Sequence, residues 1–110
     1  MPYIDTQDGQ QFFIRDIGRK IDSDQPPIIL LHGFGMQSLH WLPFALPLAH
    51  KQRFIIPDFR GFGMSHHTNH DRDCVISNYA DDLHDMIQAL GLKRFKLAGI
   101  SMGAFIALQY

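Results

Sequence analysis

Cysteine is nearly absent, with Cys74 the only one in 110 residues. No disulfide can form within the chain and no metal site built on several thiolates is available, which suits a reducing cytosol. An excess of one charge is missing as well. Ten Lys plus Arg stand against eleven Asp plus Glu, for a formal net charge of −1, so no basic stripe marks a reader of nucleic acid or of an anionic membrane surface. No apolar run approaches the length of a membrane span, and the opening residues Met1 to Asp5 lack the basic start and apolar core of a signal peptide. These absences predict a cytoplasmic chain whose partner is a neutral small molecule. What is present, 45% hydrophobic and 19% charged residues, is the composition of one small globular domain over 1–110 rather than of a disordered tail.

Two short apolar-rich runs, 3–6 and 11–17, flank Gln7-Asp8-Gly9-Gln10, and the Asp-Gly pair predicts a hairpin between them. Residues 18–27 are polar and end in two prolines, hence a loop. Ile28 to Leu31 and Arg53 to Pro57 read as continuous apolar strands, and Phe95 to Ile100 as a third, the pattern of strands covered on both faces of a parallel sheet. Pro43 and Pro47 allow only a short or kinked helix between Leu39 and Ala49. Residues 59–76 are polar, rich in histidine and without period, a loop long enough to be functional or mobile. Ser77 is expected to cap a helix running to Leu90, with Tyr79, Leu83, Met86, Ile87 and Leu90 on its apolar face and Gly91 at its end. The stretch after Ser101 is apolar nearly all round, as a core helix is. A hairpin followed by alternating strands and helices is an α/β pattern with a largely parallel sheet.

The chemistry converges on Gly99-Ile100-Ser101-Met102-Gly103. A strand that turns at once into a helix at a serine strains that residue, and its neighbours two positions away must lack bulk for the turn to close. Gly99 and Gly103 meet the need. A glycine-rich turn after an earlier strand, His32-Gly33-Phe34-Gly35, supplies a second element. Attack of Ser101 on a carbonyl carbon would place negative charge on the carbonyl oxygen, and two preorganised backbone N–H groups would stabilise it by about 3 kcal/mol each. The expected donors are the amides of Phe34 and Met102, with Gly33 and Gly35 letting the backbone bend.

With Leu30 to Gly35, Trp41, Pro57-Asp58-Phe59-Arg60-Gly61-Phe62-Gly63-Met64-Ser65 and Gly99 to Gly103 in this order, the chain resembles the N-terminal part of an α/β-hydrolase-fold serine hydrolase of the esterase and lipase kind. The resemblance implies an α/β-hydrolase fold in which a hairpin leads into a mostly parallel sheet flanked by helices, cut off after the nucleophile elbow. It also implies a hydrolase of carboxylic ester-type bonds that works through an acyl-enzyme, with no cofactor. In that family an acid and a histidine follow the serine; none of the nine residues after Ser101 is Asp, Glu or His. The chain would then supply nucleophile and oxyanion hole but not the rest of the triad, and would be inactive alone. The strand 95–100 would be an exposed apolar edge, so the isolated chain is expected to self-associate or to bind a C-terminal complementing fragment. The resemblance makes Asp58 part of a structural turn rather than the triad acid, and places His32 beneath the oxyanion turn. Phe34, Met102 and Trp41 would line an apolar acyl site for an uncharged ester.

Other readings compete. His66, His67 and His70 with Asp71 could ligate a metal, but their spacing matches no ordered site, and a solvated loop with no metal is expected. Asp81, Asp82 and Asp85 could pair as acid and base, but two of them sit where the helix dipole favours negative charge, and a solvated face is expected. Cys74 has no activating neighbour and reads as inert; Trp41 reads as a packing residue. Gly33-x-Gly35 followed by Asp58 loosely imitates a dinucleotide-binding unit, but position 38 is Ser where a third glycine is required. A non-catalytic or truncated fragment of the hydrolase fold is the remaining alternative.

Overall fold

The computed structural model describes residues 3–7, 9–18, 25–65 and 76–110. Its strands are β1 (Tyr3–Asp5), β2 (Gln11–Ile17), β3 (Ile28–Leu31), β4 (Phe54–Pro57) and β5 (Lys96–Gly99). Between β3 and β4 runs a broken helix, with 3-10 turns at Ser38–Trp41 and Leu46–Leu48 either side of α1 (Leu42–Ala45). A 3-10 turn at Gly63–Ser65 follows β4, then α2 (Ile76–Leu90), and α3 (Met102–Gln109) follows β5. The sheet order is β1-β2-β4-β3-β5. Strands β4, β3 and β5 are parallel, while β1 with β2 and β2 with β4 are antiparallel. The architecture is α/β as expected, but the sheet is mixed, because the long arm of the hairpin pairs directly with β4 from Ile14 to Ile17.

The hairpin closes through the Thr6 N–H donating to the Gln10 carbonyl at 2.8 Å, with Gly9 at φ 82°. Asp8, the other half of the Asp-Gly signal, lies outside the described residues.

Alternation along the strands divides the core in two. Ile29, Leu31 and Ile55 face α2 and α3, meeting Leu83, Met86, Ile87 and Ile106, while Leu30, Phe54 and Ile56 face the broken helix at Trp41, Leu42 and Ala45. Each proline of the broken helix occupies the first turn of a new short segment, where no N–H is needed. The apolar face of α2 buries Tyr79, Leu83, Met86 and Ile87, worth about 1.5–3 kcal/mol for each large side chain. Its C-terminus is a Schellman motif: Gly91 at φ 69° donates to the Gln88 carbonyl, and Leu92 to that of Ile87.

Two expectations, the Ser77 cap and the all-round burial of the last helix, are corrected. Helix α2 begins at Ile76, so Ser77 lies in its first turn and does not cap it. Helix α3 is buried on one side only, through Met102, Gly103 and Ile106, and exposes Phe105 and Leu108. Among the described residues β5 pairs only with β3, so it forms one edge of the sheet. No helix among the described residues is long and apolar enough to cross a membrane.

Candidate active site

Winding of the parallel strands reverses at β3. The chain passes from β3 to β4 on one side, then returns across to β5 on the other. In open α/β sheets such a reversal leaves a crevice beyond the carboxyl ends of the strands, where ligands bind. The segments emerging there are His32 to Gly35 after β3 and Ile100 to Met102 after β5. The sequence motifs therefore meet at the place that topology alone selects.

Ser101 joins β5 to α3 with φ 54° and ψ −118°, and it is the single non-glycine residue at positive φ among the described residues. Such a conformation costs about 1–3 kcal/mol and persists only where the surroundings enforce it. The enforcing contacts are visible. The Ile100 N–H extends the β3 ladder to the Leu31 carbonyl at 3.2 Å, and the Ala104 N–H reaches the Ser101 carbonyl at 3.0 Å. A Cβ on Gly99 would overlap the backbone of Gly103, and a Cβ on Gly103 would overlap the carbonyl of Leu31. Both glycines are thus required by close backbone approach. The Ser101 side chain is exposed and makes no hydrogen bond among the described residues.

The turn after β3 lies against this elbow. A Cβ on Gly33 would stand 3.3 Å from the Ser101 Cβ and 3.3 Å from the Ile100 carbonyl oxygen. Of the two glycines expected to bend this turn, only Gly35 takes a positive φ, 74°. Gly33 serves close approach instead. The Phe34 ring is 75% exposed and meets Phe62 edge-on at 5.5 Å. Neither Phe34 nor Met102 donates its backbone N–H to an acceptor among the described residues.

His32 is fully buried beneath the turn. The Phe59 N–H donates to its Nε2 at 3.0 Å, so in the neutral ring the proton sits on Nδ1, which faces the Gly33 carbonyl at 2.8 Å. With both nitrogens engaged, His32 is not placed to serve as a base for Ser101. Burial lowers its pKa from the ordinary 6.5, against smaller raising effects of the Gly33 carbonyl and Asp58. The folded state therefore favours the neutral ring. Its contribution to stability is complete above the ordinary value and is lost as pH falls from there towards the lowered folded value. Between about pH 7.5 and about pH 5.5 the urea midpoint should fall less steeply in His32→Gln than in the parent protein; equal slopes would contradict this.

The turn after β4 is packed, not solvated. Asp58 is fully buried and accepts the backbone N–H groups of Ser38 and Met64 (2.9 Å for Met64), tying the broken helix to the Gly63–Ser65 turn. Both carboxylate oxygens are thus in use, which removes the acidic ribose contact that a dinucleotide-binding reading requires. Ser65, also buried, accepts the Phe13 N–H at 2.9 Å and continues the ladder where β4 departs. Arg60 forms a two-pronged ion pair with Asp82 at 2.9 and 3.0 Å, and both side chains are almost fully buried. Asp82 is consequently not part of a solvated face, although Asp81 is exposed. Sequence reading missed this pair. The available signal was position: Asp82 is three residues after Tyr79 and four before Met86, on the apolar side of α2.

Trp41 packs against Phe44 at 5.7 Å on the sheet face opposite Met102. It is a packing residue and does not line the elbow, contrary to the acyl-site expectation. His66, His67, His70, Asp71 and Cys74 lie outside the described residues. Among the described residues no group of three or more His, Cys, Asp or Glu could hold a metal ion.

Residues 26–110 match the model of the alpha/beta hydrolase fold family. RutD of Escherichia coli, named as a provisional carbamate hydrolase, is 31% identical over 87 residues, which are 79% of this chain and 32% of that protein. The esterase EaEST from Exiguobacterium antarcticum superposes with a TM-score of 0.81 at 29% identity, covering 98% of this chain and 38% of its own. Est816, described as an N-acyl homoserine lactone degrading enzyme, gives a TM-score of 0.79 at 28% identity, covering 98% and 39%. The chain thus spans between about a third and two fifths of the length of these proteins.

Proposed function

The chain belongs to the alpha/beta hydrolase fold family, and from that premise we propose that it carries the nucleophile and oxyanion hole of a serine hydrolase acting on carboxylic ester-type bonds. The observation that carries this reading is Ser101 held at positive φ, exposed, between β5 and α3. Its hydroxyl oxygen would attack the carbonyl carbon, and the N–H groups of Phe34 and Met102 would receive the oxyanion. The alcohol would leave with a proton, and water would then hydrolyse the acyl-enzyme. The relatives support the reaction class: one is an esterase, one is an N-acyl homoserine lactone degrading enzyme, and one is named for carbamate hydrolysis, and esters, lactones and carbamates each contain a carbonyl carbon.

The acid and histidine of the triad belong, in this reading, to the part of the domain that the longer relatives have and these 110 residues do not. His32 is not a substitute, since it is committed to Phe59 and Gly33. The substrate is an uncharged, moderately hydrophobic ester, favoured by the exposed Phe34 and its Phe62 neighbour and by the near balance of ten Lys plus Arg against eleven Asp plus Glu. With a panel of p-nitrophenyl esters, the full-length gene product should show a burst of one nitrophenolate per active site, then steady turnover, and should prefer uncharged acyl groups. Ester turnover undiminished in Ser101→Ala would remove the acyl-enzyme reading. Preference for charged acyl groups would remove the substrate reading.

A further inference from the structure

We infer that Met36 is a specificity-determining residue of the Ser101 site, its thioether forming a wall against which the acyl group of the substrate lies; this deepens the serine hydrolase reading and rests on it. The turn after β3 brings the side chain there. The Met36 N–H donates to the Gly33 carbonyl at 3.0 Å, and Gly35, the third residue of the turn, is at φ 74°, while Phe34, the second, is not at positive φ. That is a type II turn, which favours glycine at its third position. It doubles the chain back, so Met36 returns beside Gly33 while Phe34 stands out with its ring exposed.

The position that a Cβ on Gly33 would take is where the sulfur and the nucleophile converge. It lies 3.1 Å from the Met36 Sδ, 3.3 Å from the Ser101 Cβ and 3.3 Å from the Ile100 carbonyl oxygen. The thioether and the Ser101 Cβ are therefore no further apart than two such contacts laid end to end, and glycine at 33 leaves the space between them. Met36 is half-buried, so part of its surface remains accessible. The chemistry decides which half of a substrate meets it. The departing alcohol has to take up a proton. His32 is committed to Phe59 and Gly33, and none of the nine residues after Ser101 is Asp, Glu or His, so in the serine hydrolase reading the proton comes from the rest of the domain. The alcohol faces that side, and the acyl group, bonded to the same carbon, faces the walls that these residues build. An unbranched, polarizable thioether suits such a wall, because it adapts to chains of different length.

Two substitutions that change the wall in opposite directions test the assignment in the full-length gene product. Met36→Ala should raise the ratio of kcat/KM for p-nitrophenyl octanoate to that for p-nitrophenyl acetate by about 10-fold, and Met36→Phe should lower it by about 10-fold, because a single methylene in an apolar pocket is worth about that much or more. Changing the alcohol at a fixed acetyl group, from p-nitrophenol to naphthol, should leave the ratio of the two esters within about 2-fold of the parent value in both variants. A merely structural methionine would scale all esters alike. Equal scaling of every ester, or a shift that follows the alcohol, would overturn the proposal while leaving Ser101 in place. Turnover undiminished in Ser101→Ala would overturn the nucleophile reading, and this proposal with it. Should either Met36 variant fail to fold, the parent protein decides: with ¹³C-labelled methionine methyls, the Met36 resonance should move further on phosphonylation by an octyl fluorophosphonate than by a methyl one, and equal shifts overturn the wall.

Discussion

Ser101→Ala is expected to lower turnover of the full-length gene product by about 10⁴- to 10⁶-fold without loss of fold, since residues that act as one catalytic unit fail together when one is removed. Stability should move the other way in Ser101→Gly. At φ 54° the serine backbone is in territory that glycine enters at little cost, so replacing it should release part of the about 1–3 kcal/mol of strain held at the elbow. A higher thermal midpoint together with absent turnover would be the signature of a site that keeps its nucleophile at the expense of stability. Equal or lower stability in Ser101→Gly would show that the elbow is not strained.

Breaking the buried pair of Arg60 and Asp82 should have the largest effect on folding. Both side chains are nearly inaccessible, and Arg60 also reaches Gln10 at 3.4 Å and lies over the Phe12 ring at 5.6 Å. Asp82→Ala leaves a guanidinium in the core without its carboxylate, and the loss of one member of such a pair costs about 3–5 kcal/mol. Removing both charges is a different matter. A double replacement, Arg60→Met with Asp82→Leu, escapes the unpaired charge and should recover most of that loss, because the desolvation cost of the pair disappears with it. Urea unfolding of the single and double variants measures the contrast. Additive losses in the double variant would mean that the two residues stabilise the fold separately.

Periodicity and turn chemistry carried most of the architecture. Ile28 to Leu31 and Phe54 to Pro57 are strands because continuous apolar residues fit a position covered on both faces, and Pro43 and Pro47 break the helix between them because proline cannot donate within it. The motif glycines were legible for a related reason: Gly99 and Gly103 stand where backbones touch. Gly33 and Gly35, which look alike in sequence, do different work, since close approach and positive φ both select glycine and leave no mark to tell them apart. Asp82 was misread because a carboxylate near a helix N-terminus has a local explanation, and its partner is 22 positions earlier in a segment without periodicity. The identity of the partner leaves no local trace, and only the place of Asp82 on the apolar side of α2 signals its burial. The position of Trp41 was equally hidden, because the sheet face on which a helix packs depends on the crossover and not on the helix's own pattern.

The central claim is that Ser101 is the group that becomes acylated. Treatment of the full-length gene product with a fluorophosphonate, followed by peptide mass analysis, tests it most directly. The account predicts one phosphonyl adduct per chain, on the peptide containing Gly99 to Gly103, located at Ser101 and absent in Ser101→Ala. An adduct on another residue, or labelling that survives in Ser101→Ala, would contradict it.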